Sequence, residues 1–135
     1  MKVRYGVMNP HILHRLMSIK QPYNINTAAE IALIASLEDL SFLKQNIERI
    51  ITERTRLFDE LSLIENVTPY PSDGNFILCS FTGIGAKRVY EELASKGIFV
   101  RYFDTPSLKD SIRISVGKPE HTDILVGALK EIMTG

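Results

Sequence analysis

Between Leu40 and Leu61 apolar residues recur in steps of three and four, and from Asn75 onward the recurrence shortens to two. That change of period constrains the fold more than any other feature of the chain. Leu40, Leu43, Ile47, Ile50, Leu57 and Leu61 draw one stripe along a long helix, widened by Ile51 and Phe58. Lys44, Glu48, Glu53, Arg56 and Glu60 form its solvated back. "NFILCSF", "IFVRYF" and "SIRISVG" then read as strands. "GAKRVYEELASKG" is a helix after the first strand, with Ala86, Val89, Tyr90 and Leu93 inward and Gly97 as its C-terminal cap. "PEHTDILVGALKEIM" closes the chain as a helix, with Pro119 in its first turn and Ile124, Leu125, Ala128, Leu129 and Ile132 inward.

The upstream third is helical as well. Asn9 caps, and Pro10 opens, a short helix striped by Ile12, Leu13, Leu16 and Ile19. Pro22 ends it and "YNIN" links onward. Thr27 and Glu30 form a capping box that opens an aliphatic helix through Leu37, whose nearly continuous apolar run predicts burial on more than one side. A break at Glu38 and Asp39 precedes the long helix, and "VTPYPSDG" after it reads as a loop. "MKVRYGVM" reads as a strand without a partner. The order is helices, then strand–helix–strand–strand–helix: an α+β fold in two layers, helices packed on a small sheet.

Composition narrows the function. At 135 residues the chain is about one domain with a real core. Sixteen Lys and Arg balance sixteen Asp and Glu, so charge makes no case for nucleic acid or an anionic membrane. No apolar run approaches a membrane span and no signal segment stands at the start. Cys79, the only cysteine, lies in an apolar strand and cannot close an internal disulfide. A cytoplasmic protein is the expectation. His11 and His14 on one helix, with His121 far off, do not make a metal site. Neither a G-x-S-x-G turn nor a phosphate-binding glycine loop is present.

Two arginines stand out. Phe99, Arg101 and Phe103 share one face of their strand, and Arg113 and Ser115 share the face opposite Ile112, Ile114 and Val116. If the two strands lie in one sheet with those faces aligned, both guanidiniums converge on one volume suited to phosphate or carboxylate. Spacing alone favours a plainer reading, in which they are rim arginines paired with Asp104 or Asp110.

"GIFVRYF", "IRISVGKPEH", "KQPYNINTAAEIA" and "YPSDGNFILC", in that family's order and spacing, resemble the C-terminal part of histidinol-phosphate aminotransferases. These are pyridoxal-phosphate enzymes of the class I/II aminotransferase fold. The resemblance implies residues 27–135 as the small domain and residues 1–26 as a remnant of the large domain with its linker. It implies that Arg113 grips the anionic group of the substrate and that Arg101 helps hold its phosphate. Asn75 and Tyr23 match positions lining the substrate side of the cleft. Lys2 falls where the family has an arginine on the cofactor phosphate, and Arg4 where it has a glycine; both are departures. On this basis the anion-site reading of the arginines overtakes the rim-pair reading.

The family's Schiff-base lysine would lie upstream of Met1, and its ring-nitrogen aspartate and stacking aromatic in an absent large domain. Lys20, Lys44, Lys87, Lys96, Lys109, Lys118 and Lys130 stand in no matching context. The expectation is a piece of an enzyme that moves an amino group between L-histidinol phosphate and 2-oxoglutarate with pyridoxal 5'-phosphate. The piece itself would neither transaminate nor bind the cofactor. Its partners would be the missing large domain and a second copy in a homodimer. A threonine-phosphate decarboxylase-like enzyme and a stand-alone small-anion-binding module are the alternatives.

Overall fold

A computed structural model describes residues 5–21 and 25–135. The chain divides into two compact units, Met1–Gln45 and Asn46–Gly135. In the first, α1 (Pro10–Ile19) opens on Pro10, and the Asn9 side chain accepts from the His11 backbone N–H at 2.9 Å. That satisfies one of the amide donors a helix start leaves free. The next helix, α2 (Thr27–Glu38), is capped differently from the sequence expectation. Asn26 is the N-cap, accepting from Ala29 N at 2.8 Å, and Thr27 is the first helical residue. Asn and Thr are both good caps, and the chain uses the one that stands a residue earlier. The apolar run of α2 is not buried on several sides in this chain: Ile31, Leu33, Ile34 and Leu37 are all exposed, the surface expected of a helix from a piece of a larger enzyme. Asp39 ends α2 and accepts from Phe42 N at 3.2 Å as α3 (Leu40–Ser62) begins. Tyr5–Met8 has no regular structure, and the rest of the expected first strand lies outside the described residues.

The second unit holds the core. Its elements beyond α3 are β1 (Val67–Pro69), β2 (Phe76–Phe81), α4 (Ala86–Ser95), β3 (Arg101–Tyr102), β4 (Ser111–Ser115) and α5 (Pro119–Thr134). The strands form one antiparallel sheet in the order β1-β2-β4-β3. Sheet alternation divides the side chains cleanly. Ile77, Cys79 and Phe81 of β2 and Ile112 and Ile114 of β4 are buried against Leu57 and Leu61 of α3, Val89 and Leu93 of α4, and Leu125 and Leu129 of α5. Burial pushes the Cys79 thiol up to about 12, so it stays protonated and packs as a small apolar side chain. The opposite face carries Phe76, Leu78, Arg113 and Ser115, and this face builds the site.

Four expectations change here. β1 occupies part of the segment expected to be a loop; it is an edge strand, where Pro69 costs no interior hydrogen bond. The strand expected over "IFVRYF" shortens to two residues, because it pairs on one side only. Ile124 is exposed, and Thr122 and Val126 are buried in its stead. Glu53 does not belong to a solvated back: it is 6% exposed and holds Arg56 at 2.7 Å. Arg56 in turn donates to Asp123 and to the Pro119 carbonyl, each at 2.7 Å. The pair thus ties α3 to the first turn of α5, directly downstream of β4.

Candidate anion-binding site

The register of β3 against β4 puts Arg101 directly opposite Arg113. Directly opposed residues in an antiparallel pair share a face, with Cβ atoms about 5 Å apart. Two like charges therefore stand side by side, an arrangement that costs stability unless something offsets it. Neither guanidinium pairs with Asp104, Asp110 or any other carboxylate among the described residues. Aromatic rings hold them instead. The Arg101 Cζ lies 5.5 Å from the centre of the Phe103 ring. The Arg113 Cζ lies 5.8 Å from that same ring and 5.4 Å from the Phe76 ring. Arg113 Nε is buried and has no hydrogen-bond partner among the described residues. A buried donor left unmade costs about 1–3 kcal/mol, so this guanidinium is held in place without being satisfied.

The neighbouring loop is built to seat Phe76. Arg54 of α3 donates to the Gly74 carbonyl at 3.0 Å and reaches Asp73 at 4.0 Å. A Cβ at Gly74 would meet Phe76 Cε1 at 3.1 Å, so the ring lies closer to this backbone than most side chains would allow. Sequence reasoning missed Arg54, Phe76 and Phe103 as parts of the site. The available signal was parity for Phe103, two residues beyond Arg101; Phe76 joins the face through the register of β2 against β4, which local spacing does not show.

Arg101 and Arg113, which the sequence singled out, are brought together. Asn75 is exposed next to Phe76, and its carbonyl accepts from Val116 N at 2.9 Å. It is one residue out of phase with the arginine face. Tyr23 and Lys2 lie outside the described residues. A recess of about 430 Å³ on the helix side of the sheet is lined by Phe99, Ile114, Val116, His121 and Ile124 and includes neither arginine.

The family model described as aminotransferase class I and II matches residues 2–129. The chain belongs to that family. Histidinol-phosphate aminotransferase from Roseiflexus castenholzii is 44% identical over 135 residues, covering 98% of this chain and 36% of that protein. Among solved structures, the Clostridium acetobutylicum histidinol-phosphate aminotransferase superposes with a TM-score of 0.84 at 26% identity, over 93% of this chain and 39% of that one. The Sinorhizobium meliloti histidinol-phosphate aminotransferase, solved in complex with pyridoxal-5'-phosphate, gives 0.79 at 26% identity, over 93% of this chain and 35% of that one. The chain therefore spans about a third of the length of the curated relatives it matches.

An imine-forming lysine needs a site that lowers its ammonium pKa. Every described lysine is exposed, and Lys96 is shifted upward by its hydrogen bond to Glu131. The described residues do not fit attachment of pyridoxal phosphate; what they offer is two opposed guanidiniums with no carboxylate partner, the donor chemistry that oxyanions take.

Proposed function

We propose that this chain is the substrate-anion half of a histidinol-phosphate aminotransferase, with Arg113 and Arg101 gripping the phosphate of L-histidinol phosphate. One observation carries the reading: two opposed guanidiniums with no carboxylate between them, in a chain whose 44%-identical relative bears that enzyme's name. A phosphate between the forks turns a repulsive pair into two charge-assisted contacts. The arginines then contribute binding and orientation, fixing where the substrate amine lies, and make or break no bond. Asn75, and with it Tyr23, would line the same cleft, and Lys2 would stand near the cofactor phosphate.

In this reading pyridoxal phosphate supplies the amino-transfer chemistry. Its lysine belongs to the part of the enzyme that the relatives have and this chain does not span, so the chain alone neither transaminates nor holds the cofactor. The amino-group partner would be 2-oxoglutarate, and the complete enzyme a cytoplasmic homodimer. The test is an amide NMR titration of the chain with L-histidinol phosphate and, separately, L-histidinol. Shifts centred on β3 and β4 with the phosphate ester alone, abolished in Arg113→Ala, are expected. Equal responses to both compounds would overturn the reading.

A further inference from the structure

Strands β3 and β4 hold two like charges together in an unusual way. An acidic partner would fix each arginine but would neutralise it and occupy its donors. An aromatic face fixes the guanidinium plane and leaves every N–H free. Phe103 does this for both arginines at once, with its ring centre 5.5 Å from one Cζ and 5.8 Å from the other. It is half-buried, one residue beyond β3, and Asp104 follows it without pairing to either arginine. Arg113 has a second ring, Phe76, whereas among the described residues Phe103 is the one ring lying against Arg101. We propose that Phe103 is the positioning residue of the anion site: its ring is a shared platform that sets the spacing of the two forks and keeps their donors free for one phosphate.

The inference deepens the reading of Arg101 and Arg113 as a phosphate grip and rests on it for its purpose, but its geometry is measured separately. The first readout needs no ligand. In the full chain, ring currents from Phe103 displace the Nε–H and Cδ–H resonances of both arginines. Phe103→Leu and Phe103→Met, which remove the ring and keep apolar bulk, are expected to return Arg101 to ordinary shifts and Arg113 part of the way, since Phe76 remains. Phe103→Tyr, which keeps the ring, is expected to preserve both. Arginine resonances unchanged in the two ringless variants, with the amides of Ile112 and Leu129 unperturbed, would overturn the proposal.

The second readout is affinity for L-histidinol phosphate. It is expected to fall roughly fivefold to thirtyfold in the ringless variants, as for loss of two cation–π contacts, and to hold in Phe103→Tyr. Unaltered affinity in the ringless variants also overturns the proposal. If the unsubstituted chain ignores the phosphate ester while the ring-current changes occur, the grip fails as a function and the platform stands as geometry.

Discussion

Glu53 shows how one residue can be misread from its neighbours. Its helix position belongs with Lys44, Arg56 and Glu60, yet it is buried where α3 meets α5. The chain accepts this because Arg56 donates to it repeatedly, at 2.7 and 3.1 Å. Those hydrogen bonds, reinforced by the Arg56 charge and opposed by burial, hold its carboxyl below the ordinary 4.5. The native state thus binds that proton less readily than the unfolded chain. The stabilisation is complete above the ordinary carboxylate range and is lost as pH falls through the depressed native value. Glu53→Gln should cost about 1–2 kcal/mol at neutral pH, a charged hydrogen bond discounted for the half-exposed guanidinium beside it. Urea unfolding at stepped pH should show the gap to the unsubstituted chain closing on acidification. A gap that widened would contradict this account of the pair.

At the scale of elements, punctuation decides more than propensity. Gly97 adopts φ +77° after α4, and the Ile98 N–H returns to the Leu93 carbonyl at 2.9 Å. A side chain there would meet no atom within 4 Å, so its cost is purely conformational. Gly97→Ala should destabilise the chain by about 1–2 kcal/mol by thermal melting, from the left-handed backbone alone. A neutral result would mean that the turn relaxes out of that conformation. The α4 cap, the Asn9 cap and the parity of Arg113 against Ile112 and Ile114 were all legible in the sequence, because each is set by neighbours within a few residues. The extent of β3 and the existence of β1 were not. Both depend on which strand lies alongside, and "VTPYP" carries too many prolines to announce an edge strand. The phase of Arg101 was legible, and with it the shared face of Phe103 two residues on, but its cross-strand partner was not: local spacing pointed to Asp104, and strand pairing brought Arg113 instead.

For the whole molecule, the contrast between the two units matters most. Asn46–Gly135 contains almost all of the buried apolar core, whereas Ile31, Ile34, Leu37 and Phe42 of Met1–Gln45 are more than half exposed. Exposed apolar surface of this kind drives association. Light scattering should therefore show the chain self-associating as its concentration rises, and Ile34→Glu should reduce the effect; a monomer at all concentrations would contradict it. No helix among the described residues is long and apolar enough to cross a membrane. The central claim is that two opposed arginines act as one grip. It is tested most directly by a double-mutant cycle on the affinity for L-histidinol phosphate, measured calorimetrically for the chain, Arg101→Gln, Arg113→Gln and the double variant. One phosphate bridging both forks predicts strong non-additivity, with either single loss removing most of the binding and the second adding little. Two small additive losses, or full affinity in Arg113→Gln, would contradict it.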